Sequence, residues 1–256
     1  MIFCRKGEKK VVSVKEILES KIKPITVDFS KVHFFESDKK IYRSFLTVNS
    51  LDLGVLGYPQ YRFVARRTKV GNHLVRRHFE KLLRLMPALI ENHPEIECFT
   101  VPVYARLLSE SVLASMLVDI LSLYPEIPRE KICVELSADI VYEDLKIASE
   151  KIDELRELGV KVAICEVGDE FCPVFRLSEI KFDYAFMDSY STSSLNTDSA
   201  ERIAGSLVNY LRHLNAKVIA PGLDSEEKIA GAKAVGADGY TTELLSEERF
   251  EGDEAL

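Results

Sequence analysis

The chain of 256 residues lacks any apolar run of membrane-spanning length, and its first residues, MIFCRKGEKK, lack the apolar segment of a secretory signal peptide. A spanning helix needs about 20 consecutive apolar residues, and a signal peptide needs an apolar core behind its positive charges. The sequence therefore predicts a cytoplasmic protein without a membrane partner.

Paired cysteine motifs are also missing. The five cysteines are odd in number, and none of them forms a CxxC pair. This pattern does not indicate a disulfide framework or a zinc ribbon, and it fits a reducing compartment.

The chain has no excess of positive charge. It carries 34 Lys and Arg residues against 41 Asp and Glu residues, which gives a formal net charge of −7. A broad phosphate-binding surface needs the opposite balance, so we expect no nucleic-acid partner. A local basic patch is present in the acidic chain around Arg62, Arg66, Arg67 and Lys69.

Short β-branched or apolar runs alternate along the chain with longer segments of helical periodicity, and no internal repeat or low-complexity linker separates them. The candidate strands are residues 45–48, 61–66, 98–103, 132–136, 160–164, 184–187, 217–220 and 239–242. Apolar stripes predict helices at 73–90 and 110–123, and cap patterns predict helix starts at Asp198 and Ser225. Repeated strand and helix favour a parallel sheet, and eight strands favour its closure into a (β/α)8 TIM-like barrel.

The start of the barrel is predicted to be irregular. The connection 49–60 is too short for a crossover helix, so strands 45–48 and 61–66 are interpreted as an antiparallel pair. Residues 1–40 are predicted to be an extension that packs on the barrel, with a short helix at 14–21 and a candidate strand at 25–29. The barrel domain would then cover residues 41–246, followed by an acidic, mobile tail at 247–256.

The most informative stretch is residues 158–188, LGVKVAICEVGDEFCPVFRLSEIKFDYAFMD. An apolar strand runs directly into Cys165 and Glu166, with Gly168 at a turn, and a second strand ends at Asp188. Parallel α/β barrels place their sites at the carboxyl ends of strands, so these side chains are predicted to meet at the barrel mouth.

Five segments in order resemble the EAL domain, a family of bacterial cyclic di-GMP phosphodiesterases. They are ICVELSADI, LGVKVAICEVGDEF, FDYAFMD, AKVIAPGLDSEE and GADGYTT, where the family has sequences close to LELEITES, LGVRIALDDFGTGY, VDRLKID, VVAEGVETEE and GCDYAQGY. The likeness runs from about residue 45 to about residue 245. It implies a TIM-like barrel with an antiparallel first strand, a site for paired divalent metal ions and pairing into a homodimer.

The resemblance also implies where the family's site residues fall, and most of them are changed. The corresponding positions are Phe63, Pro102, Glu135, Ala138, Cys165, Glu166, Phe186, Pro221, Asp224 and Thr241. Glu135 keeps a glutamate ligand, whereas Cys165 and Glu166 replace two adjacent aspartates. Phe63 replaces the namesake glutamate if Arg67 takes the place of the family's arginine. Phe186 replaces a lysine near the attacking water, and Asp188 is kept.

A hydrolase with two metal ions needs several oxygen ligands to hold Mg²⁺ or Mn²⁺ and to activate a water. The remaining pair, Glu135 and Glu166, could hold at most one weakly bound Mg²⁺ or Mn²⁺. We therefore expect no cofactor and no ordinary phosphodiesterase turnover, with Phe63 and Phe186 filling the space of metal, water and base.

Each retained residue also has an ordinary structural explanation. Glu135 and Glu166 could be salt-bridged carboxylates rather than ligands, and Arg67 could be a surface charge rather than a contact to a dinucleotide. The cysteines Cys98, Cys133 and Cys165 fit small core residues better than a metal cluster.

Three functions are consistent with this sequence. The first is a catalytically inactive EAL-like signalling protein that binds an unidentified protein partner. The second is a receptor that binds cyclic di-GMP without hydrolysis through Arg67, Glu135, Glu166, Asp188 and Asp224. The third is an enzyme of altered or residual activity built on Glu135, Cys165 and Glu166, although nothing in the sequence would lower the thiol pKa.

Overall fold

A computed structural model describes residues 25–50, 54–67, 70–109, 112–169, 172–195 and 197–242. The described chain forms a closed barrel of eight strands surrounded by helices. The predicted helix 14–21 and the predicted tail 247–256 lie outside the described residues. Within them, no helix has the length and apolar composition needed to cross a membrane.

The strands, in chain order, are β1 (Thr26–Phe34), β2 (Lys40–Ser50), β3 (Gly54–Leu56), β4 (Ile96–Val103), β5 (Ile132–Ser137), β6 (Lys161–Val167), β7 (Tyr184–Met187), β8 (Lys217–Leu223) and β9 (Gly239–Thr242). Strand β1 is antiparallel to both β2 and β9, and from β2 through β4 to β9 the barrel strands are parallel. Within the described part of the chain, the short β3 pairs only with β2, outside the barrel. The predicted TIM-like barrel with an antiparallel first strand is confirmed.

The helices are α1 (Tyr58–Arg67), α2 (Val70–Asn92), α3 (Ala105–Ser109), α4 (Leu113–Leu121), α5 (Leu145–Glu157), α6 (Ser189–Ser193), α7 (Asp198–His213) and α8 (Glu226–Ala234). Three 3-10 turns lie at Arg129–Lys131, Ala138–Tyr142 and Val174–Glu179. Ser225 caps α8 as predicted, because its side chain accepts a hydrogen bond from the Lys228 amide. The cap of α7 is Thr197 rather than Asp198, which is the first residue of the helix.

The prediction of a strand at 61–66 is wrong, because these residues belong to helix α1. Pro59 lies in the first turn, where the missing amide hydrogen costs no helical hydrogen bond. Tyr61 and Ala65 are buried one turn apart, and Arg62 and Arg66 repeat the same spacing. Aromatic and β-branched content suggested a strand, whereas burial follows the helical period of four.

The antiparallel first strand is therefore β1, which the sequence suggested only as a candidate at 25–29. The predicted boundary at residue 41 was misplaced for this reason, since the barrel already begins at Thr26. The predicted strand 45–48 is part of β2, which is the second barrel strand and lies parallel to β4.

Two apolar cores result from this arrangement. The larger one lies between the sheet and the helices. The smaller one fills the barrel interior with inward-facing side chains from seven strands: Val32, Ile41, Cys98, Cys133, Ala163, Tyr184, Phe186 and Ile219. Alternate residues of a strand point to the same face, so the next inward positions of these strands form the barrel mouth.

The end of the barrel opposite the mouth is closed by a polar cluster around Glu97. Its carboxylate accepts hydrogen bonds from Tyr184, Lys161 and Lys217. These donors lower the pKa of Glu97 although burial opposes the shift. These ion pairs lie at the end of the barrel opposite to the strand ends where barrels of this type place their sites, so we assign them a role in stability.

The seam between β1 and β9 is short. It pairs His33 with Tyr240 and Phe34 with Gly239. A side chain at Gly239 would place its Cβ 2.7 Å from the His33 carbonyl oxygen, so the strands can approach this closely only with glycine here.

A buried histidine joins α2 to the sheet. His78 is 4% exposed and its Nε2 lies 2.8 Å from the Ser44 hydroxyl, which itself donates to the Thr100 carbonyl oxygen at 2.5 Å. Because the serine hydrogen is used for Thr100, Nε2 is the protonated nitrogen that donates to Ser44. Burial lowers the pKa of His78 to about 3.

This pKa predicts a loss of stability in mild acid. Between pH 6.5 and pH 3 the unfolded chain binds a proton at His78 that the folded chain does not, so stability falls as the pH decreases. We expect a loss of about 2 kcal/mol between pH 7 and pH 5 from this group. Urea unfolding at both pH values should show a smaller difference for His78→Gln, and the exposed His73→Gln should retain the wild-type difference.

Candidate functional site

The candidate site lies at the barrel mouth, where the parallel strands end. A cavity of about 240 Å³ opens there between the strand ends and α1. Side chains from β2, β5, β6 and β7, together with arginines of α1, line it.

At its base, Arg43 of β2 and Glu135 of β5 form a buried ion pair. The Arg43 Nε lies 3.0 Å from Glu135 Oε2, and an Nη2 hydrogen bond to Oε1 completes a two-point contact. Thr100 donates its hydroxyl to Oε2 at 2.9 Å. Glu135 is only 3% exposed, so this pairing satisfies a carboxylate that water could not reach.

The ring of Phe186 supports the guanidinium of Arg43. The Arg43 Cζ lies 4.3 Å from the ring centroid, close enough for a cation–π interaction. Burial disfavours the charge, but the Glu135 carboxylate outweighs it and raises the pKa of Arg43. The resemblance placed a lysine of the family at Phe186, whereas the cation here comes from β2, on the opposite side of the barrel from β7.

The second acidic residue, Glu166, is held by α1. Its Oε1 accepts a hydrogen bond from Arg62 at 2.7 Å, and its Oε2 accepts from Ser137 at 2.7 Å and from Arg66 at 3.3 Å. Burial opposes ionisation, but the Ser137 hydrogen bond and the two arginine charges lower the pKa of Glu166. Glu166 is therefore a carboxylate with its acceptor positions engaged.

The backbone at Glu166 has an unusual conformation. Its φ of 63° lies in the left-handed region, which costs about 1 kcal/mol or more for a residue with a Cβ. The register between β6 and β7 shifts at this point. The three hydrogen bonds from Arg62, Arg66 and Ser137 stabilise this conformation and direct the side chain towards α1.

Cys165 lies between the two carboxylates and is a poor nucleophile. Burial, followed by the charges of Glu135 and Glu166, raises the pKa of its thiol well above the ordinary value. A reactive cysteine needs the opposite environment, with cations or a helix N-terminus close to the sulfur.

Helix α1 also forms the rim of a wider depression of about 520 Å³ next to the cavity. Arg67 and Phe63 line this depression together with Arg106 of α3. Phe63 is 53% exposed and its ring lies 4.7 Å below the Arg62 Cζ. The prediction that Phe63 fills a strand mouth is thus wrong, because α1 directs it outwards and the inward strand position belongs to Arg43.

The other positions taken from the resemblance are dispersed. Pro102 pairs in register with Glu135, and Ala138 is buried at the start of a 3-10 turn. Asp188 caps α6 by accepting from the Ser191 amide, and both Asp188 and Pro221 line the cavity. Thr241 accepts from the Gly222 amide, and Asp224 is exposed and paired with Lys228. Asp224 does not line the cavity.

The side chains at the mouth do not provide the oxygen ligands that a pair of divalent metal ions needs. The carboxylate oxygens of Glu135 and Glu166 already accept from arginines and hydroxyls, and Pro102 and Cys165 add no oxygen side chain. Among the described residues no group of three or more His, Cys, Asp or Glu side chains is arranged to hold a metal ion.

Sequence reasoning missed Arg43 and Thr100 and recognised Arg62 and Arg66 only as a surface patch. The alternation of Ile41 and Arg43 along β2 could have indicated an inward arginine, had β2 been assigned as a barrel strand. The i, i+4 spacing of Arg62 and Arg66 could have indicated that both reach one target.

Comparison with known proteins agrees with the observed fold. The sequence model of the EAL domain family matches residues 36–247. No curated protein sequence matches the chain significantly. Solved structures match over most of its length, and at these identities the likeness concerns the fold.

One of these structures is the PaMucR phosphodiesterase in complex with c-di-GMP. It is 16% identical with a TM-score of 0.79 and covers 91% of this chain and 94% of its own. The FimX EAL domain from Pseudomonas aeruginosa bound to c-di-GMP is 17% identical, with a TM-score of 0.77 and coverage of 90% and 91%. The FimX EAL domain of Xanthomonas citri with c-diGMP is 12% identical, with a TM-score of 0.75 and coverage of 92% and 94%.

The Arg43 and Glu135 pair gives a direct stability prediction. Arg43→Met leaves the Glu135 charge buried without its cation, and we expect a loss of about 3 to 5 kcal/mol in the free energy of unfolding. Chemical denaturation at pH 7 measures it. The double variant Arg43→Met with Glu135→Leu removes both charges and should recover most of the loss, while Arg67→Met on the rim should change little. Equal losses in all three variants would contradict this account of the pair.

Proposed function

The chain belongs to the EAL domain family, and from this premise we propose that it is a catalytically inactive member that acts in the cytoplasm by binding another protein. One observation carries the proposal: the two carboxylates kept at the mouth, Glu135 and Glu166, are neutralised by arginines of the same chain. A guanidinium supplies the positive charge that a metal ion would bring, but it cannot acidify a water molecule.

The metal ligands that would activate a water molecule for hydrolysis are also replaced by side chains that cannot do so. Activation of water by paired metal ions needs open coordination positions on oxygen ligands. Here the cation Arg43 is fixed between Glu135 and the Phe186 ring, and Arg43 and Thr100 together use most of the acceptor positions of Glu135. The high pKa of the Cys165 thiol also argues against an altered enzyme with a cysteine nucleophile.

The barrel scaffold has remained intact while the site changed. The interior layer and the outer core are fully buried, and the cluster around Glu97 closes the far end. A scaffold kept without its catalytic groups supports a role in recognition. Within this proposal the partner is a protein, and a second copy of the chain is one candidate because family members pair.

A second candidate function is a receptor for cyclic di-GMP. It is favoured by the residues of α1 that form the rim of the outer depression. Solved structures similar to this chain contain c-di-GMP. The inner cavity of about 240 Å³ is below the size of about 300 to 1,000 Å³ usual for small-molecule pockets, but the outer depression of about 520 Å³ lies within it. There the exposed Phe63 ring offers a stacking surface and Arg67 a cation that forms no ion pair with another described residue.

The charge balance argues against this second candidate. Six acidic residues and five arginines line the cavity and the depression together. Four ion pairs already join Arg43, Arg62 and Arg66 to Glu135, Glu166 and Asp139. A dinucleotide with two phosphates would meet little unpaired positive charge.

Hydrolysis provides the main test. Purified protein incubated with cyclic di-GMP and either Mg²⁺ or Mn²⁺ should release no linear pGpG above a control without enzyme, as measured by chromatography. Arg43→Ala should be equally inactive, because removal of the guanidinium does not restore the other ligands. Release of pGpG by the wild-type protein that Glu135→Gln abolishes would overturn the proposal.

Ligand binding distinguishes the two candidates. Calorimetry with cyclic di-GMP should show no heat if the chain acts only through a protein partner. If it is a receptor, micromolar binding should weaken by about tenfold or more in Arg67→Ala, since a charge-assisted contact to phosphate is lost. Arg202→Ala, an exposed arginine on α7 away from the rim, is the matched control and should bind as the wild type does.

A further inference from the structure

Two tyrosine hydroxyl groups at the barrel mouth have no hydrogen-bond partner among the described residues. Tyr58, the first residue of α1, and Tyr104, which follows β4 directly, both line the inner cavity of about 240 Å³. Tyr104 is only 6% exposed. Buried hydroxyl groups in proteins are nearly always paired, so these two indicate a ligand that supplies the missing acceptors.

Both hydroxyls can be reached from the cavity. Neither oxygen belongs to the fully enclosed, unpaired polar atoms of the described residues. The charge of Arg62 acts on both phenols, and Tyr104 also acts on Tyr58, so the two hydroxyls lie on the same side of the cavity. Burial raises the pKa of both phenols, which therefore keep their protons and remain hydrogen-bond donors.

The opposite side of the cavity offers an acceptor. Asp188 follows β7, which is separated from β4 by β6 and β5 in the barrel, and its side chain lines the same cavity. Its Oδ2 accepts a hydrogen bond from the Ser191 amide at 3.0 Å, whereas no described residue donates to its Oδ1. A molecule between the two sides would accept from the tyrosines and donate to Asp188.

Charge and size select the class of this molecule. Four acidic residues and three arginines line the cavity, so an anion would be repelled. An ammonium ion has no acceptor for the two phenol protons. The volume of about 240 Å³ lies below the range of about 300 to 1,000 Å³ that is usual for drug-sized ligands. A compact neutral molecule with several hydroxyl groups meets all of these conditions, because each hydroxyl both donates and accepts.

We propose that the inner cavity binds a neutral polyol of monosaccharide size. Tyr58 and Tyr104 donate to its hydroxyl oxygens, and Asp188 accepts from another of its hydroxyl groups. Val103 and Met187 also line the cavity and provide apolar contacts for the carbon skeleton. The bound molecule connects α1 with the ends of β4 and β7. The inference does not rest on the proposed function, since it needs neither a protein partner nor the absence of hydrolysis.

Calorimetry of the full chain with glucose, galactose, mannose, ribose and myo-inositol tests the proposal, and saturation-transfer NMR detects weak binding of the same compounds. We expect at least one of them to bind with a dissociation constant of about 1 mM or lower. Sodium acetate and inorganic phosphate should give no binding, because the acidic residues repel them. Absence of binding by all five polyols would overturn the proposal, and so would acetate binding tighter than that of every polyol.

Single hydroxyl deletions locate the site. Tyr58→Phe and Tyr104→Phe should each weaken polyol binding by about threefold to tenfold, because one hydrogen bond is lost. Asp188→Asn retains a side chain that can cap α6 but loses the charged acceptor, and it should weaken binding to a similar degree. Tyr142→Phe, at an exposed tyrosine that does not line the cavity, is the matched control and should bind as the wild type does.

Thermal unfolding separates a ligand contact from a structural role. Tyr104→Phe removes a buried hydroxyl that has no partner among the described residues, so the variant should unfold at the same temperature as the wild type or at a higher one. A lower unfolding temperature would assign the hydroxyl to the fold and contradict the proposal. Polyol binding that is unchanged in both phenylalanine variants would place the binding site elsewhere and also contradict it.

Discussion

The ion pair between Arg43 and Glu135 is the constraint on which the mouth of this barrel depends. A carboxylate that is 3% exposed needs a partner, and the partner must come from inside the barrel. Arg43 reaches it because β2 and β5 flank β4, whose Thr100 supplies a third hydrogen bond. Three adjacent strands are thereby joined by one charged group.

The second arginine pair extends this constraint to the helices. Arg62 and Arg66 connect α1 to Glu166 on β6, across the cavity from Arg43. The left-handed backbone at Glu166 directs its carboxylate towards these arginines. Together the two pairs convert a set of acidic positions suited to metal ions into a network satisfied by protein cations. Such a network is rigid and specific, and it leaves little coordination chemistry available.

The sequence predicted those parts of the fold that have strong local patterns. The apolar runs of β4 to β9 and the long apolar stripe of α2 can be recognised from the order of residues in the sequence alone. Helix α1 was missed because its ten residues include three aromatic residues and a valine, and its helical identity depends on what Tyr61 and Ala65 pack against. The error displaced the first strands and hid Arg43. Glu135, Glu166 and Phe186 were placed at the mouth by the resemblance, whereas the pairing of each carboxylate with its arginine depends on the correct assignment of β2 and α1 and on tertiary packing.

The seam between β1 and β9 closes the barrel that carries this network. It joins residue 33 to residue 240 through two paired positions, whereas β1 and β2 form a local hairpin with eight. Contacts between residues so far apart in sequence close the largest loop in the chain, and their entropic cost places them late in folding. Before closure, the barrel is an open sheet with two free edges, and Gly239 marks the point where they meet. Closure of this seam therefore competes kinetically with intermolecular pairing of the open edges, which would lead to aggregation.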